Sequence, residues 1–166
     1  MTDHIVVGDR VLLGTGFRAA RARLEILASD EMLPRACEAA YGVGITALVK
    51  AAGPAAGLTR LAGARLGDLT GTDQCAHITL GWEAIAADGK LFTALDADLM
   101  LVPAGDRNSA LALAGPAGLD RAIVRECAMV AIRSFLAQVG CALVHPAGTA
   151  RPAGHSPRRR SPGDQP

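Results

Sequence analysis

The segments CAHITLGWEAIA (residues 75–86) and LFTALDADLMLV (residues 91–102) decide the fold. Both alternate apolar and polar residues, and Asp88-Gly89 stands between them. Asp-Gly is among the strongest short hairpin signals, because both central residues must tolerate positive φ. The predicted register pairs Trp82 with Leu95, Leu80 with Ala97 and Ile78 with Leu99 on the apolar face, and Glu83 with Ala94, Thr79 with Asp98 and His77 with Met100 on the other. A slip by one residue would break this alternation on both strands.

Further elements lie on both sides of this hairpin. A strand is predicted at residues 5–13, broken by Gly8, and a helix at residues 17–28. A second short helix should carry Pro34 in its first turn and end at Gly42 and Gly44. Residues 45–52 suggest a short strand, residues 58–69 a weakly patterned one, and residues 109–114 a strand that places Leu111 and Leu113 across from Leu101 and Leu99.

The last predicted element is a long helix over residues 118–143, starting at Gly115-Pro116-Ala117-Gly118. Its apolar residues cover so wide an arc that other elements must enclose it. We therefore expect an α+β fold, in which a curved antiparallel sheet grips this C-terminal helix. Residues 1–145 are predicted to form a single domain, and residues 146–166, rich in Pro and Arg, a disordered basic tail.

Composition excludes several function classes. The chain has 166 residues, 3% aromatics and a formal net charge of +1. The tail carries four arginines against one aspartate, so the body is mildly acidic and nucleic-acid binding is not expected. The four cysteines show no C-x-x-C spacing, which favours free thiols in a reducing compartment. We find no signal peptide and expect no membrane span, so a cytoplasmic location is predicted.

Candidate catalytic groups have simpler interpretations. Residues 14–19, GTGFRA, fit the loose nucleotide-binding form G-x-G-x-x-A, but the rest of that unit is missing, which favours a plain turn. Asp96 and Asp98 share a strand face with Thr79 and Glu83 opposite. If Trp82 faces the helix, these acids point outward and are solvated. His77, on the same face, fits a half-exposed strand histidine better than a general base.

The element order resembles the helix-grip fold of the START-like (SRPBCC) superfamily. The segments Gly81-Trp82-Glu83-Ala84, Leu95-Asp96-Ala97-Asp98-Leu99 and Leu119-Asp120-Arg121-Ala122 also resemble uncharacterised bacterial proteins of this size. The superfamily mostly binds apolar ligands between sheet and helix. The alternative is a hot-dog fold, as in acyl-CoA thioesterases, with the helix in residues 17–41 at the centre and the last helix peripheral.

The resemblance implies a cavity for a small apolar molecule of the lipid, polyketide or isoprenoid class. Trp82, Leu95, Leu99, Val124 and Phe135 are predicted to line it. We predict no catalytic residue, metal site or cofactor, and the oligomeric state stays open. The alternative is a cyclase/aromatase-like or thioesterase-like enzyme, in which one or two polar groups of the cavity transfer protons.

Overall fold

One strand and two helices are followed by five consecutive strands and a last helix, which is an α+β order. The computed structural model describes residues 5–52, 60–85, 89–117 and 122–145, so the predicted tail at residues 146–166 lies outside the described part. The elements are β1 (Ile5–Leu13), α1 (Phe17–Ser29), α2 (Met32–Ala52), β2 (Arg60–Leu66), β3 (Thr70–Thr72), β4 (Cys75–Ile85), β5 (Leu91–Pro103), β6 (Ser109–Ala117) and α3 (Ala122–Val144).

The strands form one curved antiparallel sheet in the order β1-β6-β5-β4-β2, with β3 also paired to β4. Helix α3 packs against β1 and β6 on the inner face of this sheet and against α2 on its other side. Phe135 and Val139 of α3 are 0% and 2% exposed. This is the predicted helix-grip arrangement, and the hot-dog alternative is wrong because the last helix is central.

The β4–β5 hairpin has the predicted register up to Trp82, which pairs with Leu95. Beyond that point the structure differs, because Glu83 pairs with Thr93 and not with Ala94. Ala94 is the extra residue of a β-bulge, so Ala94 and Leu95 are both buried although they are consecutive. Gly89 at the turn has the expected positive φ of 82°.

Helix α2 is longer than predicted. It does not end at Gly42 or Gly44 but continues to Ala52, over 21 residues, and it replaces the strand expected at residues 45–52. A Cβ on Gly44 would lie 2.9 Å from the Cβ of Ala131 and 3.0 Å from the carbonyl oxygen of Cys127. Gly44 is therefore the point where α2 approaches α3 closely, and tertiary packing outweighs its low helix propensity.

Two other boundaries also differ from the prediction. Strand β1 is not broken at Gly8: a Cβ there would lie 2.7 Å from the Cβ of Ala114 on β6, so the glycine permits close strand pairing. Strand β6 continues to Ala117, and α3 begins at Ala122 and not at residue 118. The cross-strand pairs Leu99–Leu113 and Leu101–Leu111 are confirmed.

Helix α3 is apolar over most of its length. Its segment Arg125–Val144 is long and apolar enough to cross a membrane by length and composition alone. Here its apolar side forms the core, where Ile132, Phe135 and Leu136 contact the sheet and the other helices. A buried core helix has the same composition as a membrane span, so this feature alone does not distinguish the two.

Candidate ligand cavity

An apolar cavity lies between α2, α3 and the bulged part of the β4–β5 hairpin. Its volume is about 60 Å³, and it is partly open to solvent. Its walls come from three elements: Tyr41, Gly44, Ile45 and Leu48 of α2, Cys127, Ala128, Ala131 and Ile132 of α3, and Trp82, Ala94 and Leu95 of the hairpin. Small side chains on all three sides leave this space unfilled.

Trp82 is the largest side chain in this wall and is 3% exposed. Its ring meets Tyr41 of α2 edge-on at a centroid distance of 6.1 Å and Phe135 of α3 at 6.4 Å. Such T-shaped pairs add about 0.5–1.5 kcal/mol each beyond the area they bury. The indole therefore joins the sheet to both helices and fixes one side of the cavity.

The Trp82 indole N–H is buried and has no hydrogen-bond partner within the described ranges. An unsatisfied buried donor costs about 1–3 kcal/mol. Burial raises the pKa of the neighbouring Cys37 thiol to about 11, and the Trp82 N–H opposes that rise. The thiol therefore stays protonated near neutral pH, and a neutral thiol sulfur is too weak an acceptor to satisfy the indole N–H.

Cys127 is the one thiol in the cavity wall, and it is buried. Burial raises its pKa, and Glu126 next to it contributes in the same direction. Because the thiolate and not the thiol is the nucleophile, this environment disfavours covalent chemistry at Cys127. The wall offers a ligand apolar contact, not a reactive sulfur.

The predicted lining residues fall into three groups. Trp82 and Leu95 line the cavity, as the alternation of the hairpin indicates. Leu99 and Phe135 are both 0% exposed and belong to the filled core behind it. The side chain of Val124 lies outside the described residues, although its backbone belongs to α3.

The prediction misses the lining residues of both helices, four on α2 and four on α3. The sequence predicts Tyr41 at the end of a helix that stops at Gly42, and Leu48 in a strand. The signal was present as a helical spacing, since Tyr41, Ile45 and Leu48 recur at intervals of four and three. Ala94 joins the wall because of the β-bulge, which pairwise alternation does not reveal.

The polar candidates lie on the outer face of the sheet, away from the cavity. His77 Nε2 is 2.9 Å from Asp98 Oδ1, and His77 Nδ1 is 3.2 Å from Thr70 Oγ1. Asp96 and Asp98 are exposed, which confirms the solvated face. Glu83 forms an ion pair with Arg65 at 2.9 Å. Within the described ranges, no group of three or more His, Cys, Asp or Glu side chains is placed to hold a metal ion.

The glycine-containing segment at residues 14–19 is a turn leading into α1, with Gly16 as the N-cap residue. The buried Ser109 hydroxyl donates to the Thr15 carbonyl oxygen at 2.9 Å. This hydrogen bond ties the turn to β6. The segment thus has a structural role in the observed fold.

No family model matches the chain, and no curated protein matches it significantly. Two solved structures are similar to it. A conserved protein from Geobacillus kaustophilus shows 12% identity and a TM-score of 0.49, over 84% of this chain and 95% of that one. The aromatase/cyclase ZhuI from Streptomyces sp. R1128 shows 8% identity and a TM-score of 0.35, over 87% and 98%. The fold assignment therefore rests on this chain's own strand order and the position of α3.

Proposed function

We propose that this protein binds a small apolar molecule in the cavity between α2, α3 and the hairpin. The observation that carries the proposal is the wall itself, which combines apolar side chains with two aromatic rings, Trp82 and Tyr41. Ligand sites in proteins are typically concave and mostly apolar, with few polar groups. The fold supports the proposal because its sheet and helices leave this space between them.

The size of the cavity limits the ligand. Its volume of about 60 Å³ is far below the roughly 300–1,000 Å³ of pockets for drug-sized ligands. A fatty acid, polyketide or isoprenoid therefore fits in one of two ways. Its end occupies the cavity while the rest lies in the open mouth, or α2 moves away from the hairpin. We favour small or slender ligands over broad fused rings.

Trp82 provides the readout because it is the only tryptophan of the chain. The experiment titrates the protein with a panel of short fatty acids, linear isoprenoid alcohols and small aromatic polyketides while its fluorescence is recorded. We expect a saturable change in intensity or emission wavelength with at least one class. A flat response across the panel, with calorimetry also silent, would contradict the proposal.

Two alanines of α3 make a matched pair of variants for this titration. Ala128 lines the cavity, whereas Ala137 is exposed on the same helix. Ala128→Phe should fill the space and weaken binding at least about tenfold, which corresponds to roughly 1.4 kcal/mol. Ala137→Phe should leave the affinity unchanged. Equal losses in both variants would mean that the bound site is elsewhere.

The enzymatic alternative has less support from this geometry. A cyclase-like or thioesterase-like reaction needs proton-transfer groups in contact with the substrate. His77, Asp96 and Asp98 lie on the opposite face of the sheet, and burial keeps the Cys127 thiol protonated. Binding without chemistry is therefore the function that this arrangement supports best.

A further inference from the structure

The two edge strands of the sheet differ in how well they are protected against pairing with another chain. At one edge, β2 has seven residues, a register shift between Leu61 and Gly63, and contacts to α2. At the other edge, β1 has nine residues and pairs with β6 in a continuous register. Strand β1 contains neither proline nor lysine. Long, regular edge strands of this kind are templates for pairing with another chain.

Two exposed apolar side chains lie on the β1 edge. Val6 is 68% exposed and Leu12 is 65% exposed, more than any other large apolar residue in the described ranges. Both point to the outer face of the sheet, since their neighbours Val7 and Leu13 are buried at 2% on the inner face. They lie three residues before and three residues after Asp9, so the strand is symmetric about that residue.

We propose that two copies of this chain associate through β1, antiparallel, about a two-fold axis at Asp9. In this register Val6 of one copy faces Leu12 of the other, and the same contact recurs on the other side of the axis. Gly8 faces Arg10, which leaves room for the long side chain. A register shifted by two residues in either direction leaves both apolar side chains without an apolar partner.

The charges at the axis are compatible with this pairing. The two Asp9 carboxylates face each other, and in each copy Arg133 Nε donates to Asp9 Oδ2 at 2.8 Å. The pairing therefore brings together two carboxylates, each already neutralised by an ion pair with Arg133 of its own copy. Without Arg133, like charges directly opposite each other would disfavour this register.

Cysteine pairs test the register directly. In a Cys141→Ser background, which removes the exposed native thiol, Val6→Cys and Leu12→Cys are prepared as separate proteins. Mild oxidation of a one-to-one mixture should give a disulfide-linked dimer, because about half of the dimers then hold one facing cysteine pair. Each variant alone should link little. A mixture of Leu12→Cys with Ile26→Cys, a residue 61% exposed on α1, is the matched control.

Sedimentation gives the second measurement. The mass of the wild-type protein should rise from 17.0 kDa toward twice that value as its concentration increases. Leu12→Lys should stay monomeric and should match the wild-type melting temperature at concentrations where the wild type is also monomeric, and Ile26→Lys should dimerise like the wild type. A wild-type monomer at every concentration, as expected if another protein's strand pairs with this edge, would overturn the proposal. Mixtures that link no better than single variants would also overturn it.

Discussion

The two faces of the β4–β5 hairpin have the same backbone but opposite environments. On the inner face, Ile78, Leu80 and Leu99 are 0% exposed and pack against the helices. On the outer face, Asp98 is exposed and its carboxylate lies 2.9 Å from His77. The difference shows that the groups able to transfer protons and the apolar cavity are separated by the thickness of the sheet.

Leu99 and Asp98 are the neighbouring residues that test this contrast most strongly. Leu99→Ala should lower the free energy of unfolding by about 2–5 kcal/mol, because it leaves a cavity in a fully buried site. Asp98→Ala removes an exposed contact and should cost less than about 1 kcal/mol. Urea unfolding of both variants measures the two effects. Comparable losses would mean that the outer face is structurally as important as the inner one.

Alkaline pH should reveal how tightly the inner face excludes charge at Cys37. Burial raises the pKa of this thiol to about 11, so folding favours its protonated form. Its stabilising contribution is complete below the unfolded pKa of about 8.5 and is lost as pH rises toward the folded value, by up to about 1.4 kcal/mol per pH unit. Unfolding at several alkaline pH values should show a steeper loss for the wild type than for Cys37→Ala. Equal slopes would exclude this effect.

Two glycines of α2 allow the same comparison between a buried and an exposed face, because Gly44 faces α3 and Gly42 does not. Gly44→Ala would place its Cβ 2.9 Å from Ala131, so we expect a loss of about 1–3 kcal/mol as α2 is pushed from α3. Gly42 is exposed with no atom within 4 Å of a built Cβ, and Gly42→Ala should stabilise the protein by about 0.5–1 kcal/mol. Thermal unfolding should therefore give opposite signs. A stabilising Gly44→Ala would mean that the helices do not meet there.

The smallest expected effect concerns Asp9 at the edge of the sheet. The Arg133 guanidinium holds the pKa of this carboxyl below its ordinary value, helped by the backbone N–H of Arg10. The stabilisation is therefore present above the unfolded pKa and disappears as pH falls through the lowered folded value. Asp9→Asn should cost less than about 1 kcal/mol at neutral pH and nothing at strongly acidic pH. If the wild type and Asp9→Asn still differ in their free energy of unfolding in acid, the difference has a cause other than the ionisation of Asp9.

The hairpin register was predictable because alternation and the Asp-Gly turn constrain the same pairing. A slip by one residue in either direction would place an aspartate opposite Leu80, and the Asp-Gly turn disfavours longer slips, so local and tertiary requirements agree. The gripping helix was predictable for a related reason, since so wide an apolar arc needs enclosure. The polar outer face followed from the same alternation.

The cavity was less predictable because α2 contradicts its own local signals. Gly42 and Gly44 are typical of a helix end, yet α2 continues past both of them. Its contact with α3, which is closest at Gly44, stabilises the longer helix. The bulge at Ala94 is likewise decided by the fit between strands and not by any single residue. As a result, Trp82 and Leu95 could be placed in the wall, whereas Tyr41 and Leu48 could not.

Methyl NMR tests the central claim most directly, namely that the inner face of the hairpin binds an apolar molecule and the outer face takes no part. The protein is labelled at the methyl groups of Ile, Leu, Val and Met and titrated with geraniol, and with hexanoic acid in a parallel series. We predict saturable shifts at Leu48, Leu95 and Ile132, which line the cavity, while Met100 and Leu12 on the outer face stay unchanged. Shifts confined to Met100 and Leu12, or no saturable shift with either probe, would contradict the account.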